Sequence, residues 1–502
     1  MDYPFWDAGV GYGLIIALTA VFHVFISHFA IGGGLYLIIT EISARKRNDT
    51  ARLEFLHGLS KFFVLVTLVL GALTGVGIWF VIGLISPQAT ELLIHNFVWG
   101  WAIEWTFFVV EIASALVYYY GWTRMSARAH MAVGWIYFVA AWLSLVVINA
   151  ILAFMLTPGA WLQTGSFWDG FFNPTYFSSL VMRTGVCIML AGLFSSLVAS
   201  RKRDMPTFSS LIRYNATWSI VGLAITVPSF FWYMKAIPSS ITQKAAEMMP
   251  LVTMYMDRVI WLAVALGALV IIFGFLIPRA YYLVVAIIML IVGITWFGSF
   301  EWYRESIRKP YIVTGFMYAN SVELRNKAEL QQDGYLAHMK YRTGDDQRDL
   351  FNRACGSCHT INGYRALAPH LNGTDSTFIA GAIRGATVIR GNMPPFLGKD
   401  EEIGMIASYL ASKIDHRHIN EIYNLSGVEL GKKVYEIRCG ICHVVGGYND
   451  KSSSLAGLSE SDYNDFLDNS GDIADQMPQF TGSAEEREAL IKYFETLKEG
   501  GQ

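Results

Sequence analysis

The chain has 502 residues and a formal net charge of −2, so no global basic surface points to nucleic acid. Charged residues make up only 16% and hydrophobic ones 54%, where soluble domains carry nearer a quarter charged. The apolar excess fills about residues 9–300 and then stops, which rules out a wholly soluble protein and divides the chain into an apolar and a polar part.

Eight apolar runs follow in order, at about 11–40, 60–85, 97–120, 131–156, 175–199, 214–236, 257–277 and 280–301. Each is long enough to cross roughly 30 Å of hydrocarbon. Met1 to Asp7 carry no positive charge and no small-residue cleavage site follows, so the first run reads as a retained span. The connections alternate in charge. Arg45, Lys46, Arg47 and Arg52 follow span one, Arg124 and Arg128 follow span three, Arg201, Lys202, Arg203 and Arg213 follow span five, and Arg279 follows span seven. The connections 86–96 and 157–176 have no Lys or Arg, and that after span six has only scattered cations. The positive-inside rule then predicts a multi-pass protein of a bacterial inner membrane, with both termini and everything after span eight on the periplasmic side.

Ionisable groups inside spans are costly and mark function. His23 lies in span one, Glu104 and Glu111 in span three, and Glu305 closes span eight. Glu104 and Glu111 are two helical turns apart and share a helix face. His23, Glu104 and Glu305 all fall in the outer half. His28 reads as a hydrogen-bonded buried histidine, with a second ligand or a proton path as the alternatives. His57 and His130, at the cytoplasmic ends of spans two and four, are expected at the surface or the lipid headgroups, and His95 at the outer mouth of span three. Met182 reads as packing, with a haem ligand as the alternative, and Cys187 as a buried small hydrophobe. Trp6, Trp99, Trp101, Trp161 and Trp168 form an outer aromatic belt.

The polar part carries Cys355-Gly-Ser-Cys358-His359 and Cys439-Gly-Ile-Cys442-His443. C-x-x-C-H lets two thiols bond to the haem vinyl groups while the adjacent His reaches the iron. A zinc knuckle would need the pairs to converge and would not need the His. Each motif is followed by a methionine at the same spacing, His359 by Met393 and His443 by Met477, in Met393-Pro-Pro-Phe and Met477-Pro-Gln-Phe. Core packing is the alternative role for these methionines. Leu371-Asn-Gly373 matches Leu455-Ala-Gly457, and Tyr409 matches Tyr493, all at the one offset that also separates the two Cys pairs. These are two tandem copies of one small unit.

Each copy resembles a class I cytochrome c, over about 345–415 and 424–500. The resemblance implies that His359 with Met393, and His443 with Met477, bind iron axially, in two covalently bound c haems. The apolar part resembles subunit I of cytochrome bd-type oxidases. The matching stretches are Leu18-Thr-Ala-Val-Phe-His23, Ala102-Ile-Glu104 through Glu111 to Gly121-Trp122, Asn173-Pro174, and Glu305-Ser-Ile-Arg308-Lys-Pro310-Tyr311. It implies that His23 and Glu305 ligate iron, that Glu104 and Glu111 line the site and its proton route, and that one or two haems b, or one b and one d, sit in the bundle. The sequence departs from the family in four ways. Val181-Met182-Arg183-Thr184 stands where the family has a span-five haem ligand. The connection between spans six and seven, Ala236 to Met256, is short, where the family has a long quinol-binding loop. There are eight spans rather than nine, and the Glu104–Glu111 spacing is one position short.

The expected fold is all-α. A transmembrane haem bundle (1–310) and a partly helical linker (311–345) lead to two small helical c-type domains (346–415 and 424–502). The expected activity is that of a respiratory haem oxidoreductase passing electrons between the c haems and a buried haem site that reduces oxygen or a similar small acceptor. The alternatives are a quinol:cytochrome c electron-transfer subunit without gas chemistry, and a c-haem anchor of a larger complex. Expected partners are a second bd-like membrane subunit and a periplasmic cytochrome or other electron carrier, with quinol as a further candidate.

Overall fold

The computed structural model describes residues 5–247, 251–474 and 476–497. The last residues of the second c-type unit, 498–502, lie outside them.

Eight helices among the described residues are long and apolar enough to cross a membrane. They are α1 (Tyr12–Lys46), α2 (Thr50–Ile85), α3 (Val98–Gly121), α4 (Ala127–Leu156), α5 (Tyr176–Ala199), α6 (Phe208–Ala236), α7 (Val252–Leu276) and α8 (Leu283–Arg308). Several run past their apolar stretches. The Asp49 carboxylate caps α2 by accepting from Arg52 N at 2.9 Å, so the chain turns within Arg47–Asp49. Arg45, Lys46 and Arg52, expected in a loop, lie on helices. α8 likewise continues to Arg308, which puts Glu305 one turn inside it. Two stretches, Leu65–Gly71 in α2 and Val270–Leu276 in α7, are π-helical.

The bundle packs most closely where glycine removes a side chain. A Cβ on Gly222 of α6 would stand 2.2 Å from Met189 N of α5, and one on Gly32 of α1 would stand 1.8 Å from Cys187 O. Dispersion contacts between closely approaching backbones drive such packing in lipid, where no hydrophobic force acts between helices. Met182 and Cys187 of α5 are both buried.

Past α8 comes an element that is not helical. Strand β1 (Tyr311–Val313) pairs antiparallel with β2 (Met317–Tyr318). Val313 and Met317 join Phe97, Phe154 and Trp161 in an apolar cluster at that end of the bundle. Among the described residues the other regular elements are helices, as expected.

The two c-type units each have their own core. The first packs Leu350, Phe351, Phe378, Ile379, Ile406 and Leu410, joined by Leu330 and Tyr335 from the segment before it. The second packs Leu430, Val434, Tyr463, Leu490 and Phe494. The internal repeat holds at atomic detail. Glu402 opens helix Asp400–Ala411 and accepts from Tyr335 N at 3.0 Å. Glu486, its equivalent in the second copy, opens Ala484–Phe494 and accepts from Ile419 N at 2.7 Å.

The first unit touches the bundle, and the second touches the first. The first sits on the start of α1, where Tyr364 N donates to Val10 O at 2.9 Å and Arg348 pairs with Asp7 at 3.6 Å. The second sits on the first. Arg438 Nη2 donates to Gly373 O at 2.8 Å, and Ile441, inside the second Cys pair, packs against the first core.

Candidate haem sites

His359 follows the first Cys pair, and its Nδ1 lies 3.2 Å from Arg365 O. His443 repeats the arrangement, with Nδ1 3.0 Å from Asn449 O. A carbonyl only accepts, so both Nδ1 atoms carry hydrogen and Nε2 keeps its lone pair for a metal. Arg365 and Asn449 are both left-handed, with φ of 52° and 47°, and this turns each carbonyl toward its imidazole. Burial pushes His359 down to about 4, with smaller pushes from Arg365 and Lys309, so it is neutral at physiological pH, as an iron ligand must be. Burial also pushes the Cys355 and Cys439 thiols up to about 12. The four cysteines remain two separate pairs and form no disulfide.

Met393 and Met477 lie in irregular segments, and both are half-buried. The second of these segments packs on the first unit. A Cβ on Gly381 would meet Pro478 at 3.0 Å, and one on Gly385 would meet Gln476 O at 2.7 Å. The donor types fit c-type haem, which Cys355, Cys358, His359 and Met393, and Cys439, Cys442, His443 and Met477, would hold.

In the bundle, His23 faces α2 beside the π-helical turn. Its Nδ1 lies 3.0 Å from Thr74 Oγ1 and its Nε2 3.2 Å from Ser27 Oγ. A Cβ on Gly75 would stand 3.1 Å from the ring, so glycine makes room for the imidazole. Both hydroxyls donate to backbone carbonyls, so one ring nitrogen of neutral His23 donates to a hydroxyl oxygen and the other keeps its lone pair. A lone pair of that kind fits an iron ligand. Glu305 is paired through one oxygen with Arg308 and through the other with Lys309 at 2.8 Å. Iron ligation would take an oxygen from one of these cations. Among the described residues His23 and Glu305 share no hydrogen bond, although α1 and α8 are neighbours and a Cβ on Gly298 would meet Val21 at 3.6 Å.

Glu104 Oε1 accepts from Ser144 Oγ at 3.0 Å, and Glu111 Oε1 accepts from Tyr137 OH at 3.1 Å, so both carboxylates face α4. Sequence reasoning missed the cluster around Glu301, while His28 is the hydrogen-bonded buried histidine it expected. Arg183, at the position of the absent span-five ligand, is buried and pairs with Glu301 at 3.0 Å, and Arg304 pairs with Glu301 at 2.7 Å. His28 is buried, with Nδ1 2.6 Å from Val24 O, and Nε2 has no partner. The expectation for His130 is corrected. It is fully buried, stacked on Tyr118 and 2.9 Å from Glu41, because α4 starts at Ala127 and draws it under α1. His57 is exposed, as expected, and stacks on Trp122.

Residues 14–248 match the family described as cytochrome bd terminal oxidase subunit I, and residues 342–410 match cytochrome c oxidase, cbb3-type, subunit III. The fold is similar to that in a structure of bd oxidase from Geobacillus thermodenitrificans, at a TM-score of 0.51 and 14% identity, covering 61% of this chain and 88% of that one. No curated protein matches the chain. The fold and these matches define a multi-pass respiratory haem protein built for electron transfer. Within that class the chain joins a membrane half similar to cytochrome bd terminal oxidase subunit I to a part similar to a cbb3-type cytochrome c subunit.

Proposed function

We propose that this chain exchanges electrons between two covalently bound c haems and a haem site inside the bundle, and that the bundle site reduces oxygen or a similar small acceptor. The observation that carries the reading is the seat of the first c-type unit. The segment after His359 lies directly on Val10–Gly13, at the head of the helix that bears His23. The helix from Tyr12 to His23 advances about 16 Å along its axis. The second unit touches the first through its Met477 segment, so a soluble donor or acceptor has a stepwise route inward. When bound, the haems supply the redox chemistry. The chain's own residues hold and orient them, and Glu104 and Glu111 are placed to carry protons.

In this reading His23 and Glu305 are iron ligands of one or two haems b, or of one b and one d. The c-type units face the periplasm, because thioether attachment of haem occurs on that side of bacterial membranes. A second bd-like subunit covers part of the bundle, and a periplasmic cytochrome exchanges electrons with it. Arg183 in place of a ligand, together with the short connection Ile237–Leu251, favours entry through the c haems over a quinol loop.

The test is a visible spectrum of the reduced protein with and without carbon monoxide, followed by oxygen uptake with reduced cytochrome c and with quinol. A CO-sensitive haem and uptake driven by cytochrome c are expected. Only CO-insensitive signals would leave a quinol:cytochrome c carrier. His23→Ala is expected to remove a non-covalent haem and leave both c haems. Unchanged haem content would defeat the ligand assignment.

A further inference from the structure

The side chains that join α3 to α4 form a regular series. On α3 they are Glu104, Glu111 and Tyr118, and on α4 they are Ser144, Tyr137 and His130. Each helix thus presents a polar group every seventh residue. Seven positions return a helix to nearly the same face and advance it by about 10 Å. The two helices pack closely and run antiparallel, so the groups meet as three rungs. Nearest the c-type units, Ser144 bonds to Glu104. In the middle, Tyr137 bonds to Glu111. At the far end, the rings of Tyr118 and His130 stack with centroids 4.1 Å apart.

The far rung gains a third member. Glu41 of α1 accepts from Tyr118 OH at 2.7 Å through Oε2 and lies 2.9 Å from His130 Nδ1 through Oε1. Glu41 and His130 are both 0% exposed, a costly burial of two ionisable groups within the bundle. Hydrogen bonding dictates what the rung holds. His130 Nε2 lies 2.8 Å from Tyr118 O, which can only accept, so Nε2 carries hydrogen. One further proton then occupies the contact between Nδ1 and Glu41, on nitrogen or on oxygen. Arg45 also reaches Glu41, at 2.6 Å, and is 30% exposed at the bundle end opposite the c-type units. Ser114 is buried on α3 between the far and middle rungs, where its hydroxyl donates to the backbone carbonyls of Val110 and Glu111 in its own helix.

We propose that the Glu41–His130–Tyr118 rung is a proton-loading station that supplies Glu111 from the bundle end opposite the c-type units. The proposal rests on the reading of the bundle as a site that consumes protons. An N–H or O–H bond in the Glu41–His130 contact breaks and an O–H bond forms on Glu111. Water between the far and middle rungs, on the helix face that Ser114 shares, bridges the step. The rung is refilled from water beside Arg45, and no electron moves in the transfer.

Redox-induced infrared difference spectra of the full-length protein in H2O and D2O test this. The carboxyl band of Glu111 is assigned by its loss in Glu111→Gln. In His130→Gln its exchange with D2O is expected to slow by about tenfold or more. In Tyr118→Phe, which removes only one hydroxyl, a smaller slowing is expected. Haem spectra should not change in either variant. Exchange at the native rate in the variants, or no Glu111 band at all, overturns the proposal and leaves the rung a structural brace. Should His130→Gln fail to fold, Tyr118→Phe decides alone. The readout does not require oxygen reduction. Slowed exchange without oxygen uptake would defeat the functional reading and leave the loading station standing.

Discussion

Glu402 shows how much one buried carboxylate can hold. It is 5% exposed and accepts from Tyr335 N, Leu336 N and Lys399 N at 3.0, 2.9 and 3.0 Å. It thus ties the incoming segment to the last helix of the first c-type unit. Hydrogen bonds to a charged acceptor contribute about 1.5–3 kcal/mol each, and an amide in its place would turn an N–H toward another N–H. Glu402→Gln is expected to destabilise that unit by about 2 kcal/mol. A denaturant titration of the full chain, followed at the c-haem absorbance, measures it, and an unshifted midpoint would show that the carboxylate carries no such role. Residues of this kind differ in how far the sequence reveals them. The Cys pairs and their histidines are legible because covalent attachment fixes the spacing C-x-x-C-H. The Glu402–Glu486 equivalence was available in the same repeat offset as the methionines. Glu41 and His130 were hidden because no spacing relates α1 to α4. Their contact depends on where each helix ends in depth, and apolar runs mark that only loosely.

At the scale of elements, the eight spans were legible because each needs about 20 apolar residues to cross the bilayer. Their polar extensions were not, since Arg45 or Arg52 on a helix and in a loop look alike in sequence. The hairpin Tyr311–Val313 and Met317–Tyr318 escaped for a related reason, being too short for an alternating pattern to show. Which helices pack most closely was also invisible, because glycines occur throughout the spans. The structure distinguishes them. A side chain at Gly222 would meet the backbone of Met189, which cannot rotate away, whereas nothing lies within 4 Å of a Cβ on Gly83. Gly222→Val is therefore expected to abolish folded, haem-loaded protein in membranes. Gly83→Ala should be tolerated and gains up to about 1 kcal/mol of helix propensity. The yield of detergent-extracted protein with bound haem compares the two. Equal yields would mean that the α5–α6 contact is not what holds the bundle.

For the whole molecule the question is whether the three parts work as one conductor or are merely tethered. Flexible tethering would leave the faces between them plain, but here they are fitted. Val10, Gly11 and Gly13 at the head of α1 lie against Thr360, Gly363 and Tyr364, the segment that follows His359. Gly13 is the position at which this fit can be broken cleanly. It is helical, so a side chain costs no backbone strain, and its Cβ would stand 3.1 Å from Tyr364 Cε1. Gly13→Leu drives a wedge into the contact while leaving every proposed ligand in place. If the seat of the first unit sets the route into the bundle, electron redistribution from the bundle site to the c haems after flash release of carbon monoxide slows in this variant. The static spectra of both haem classes stay as they were. Gly404→Ala is the control, because it lies on the first unit with nothing within 4 Å of its Cβ. Equal rates in all three proteins would mean that the docked arrangement is not the conducting one. The membrane half and the c-type units would then exchange electrons through some other approach of the two surfaces.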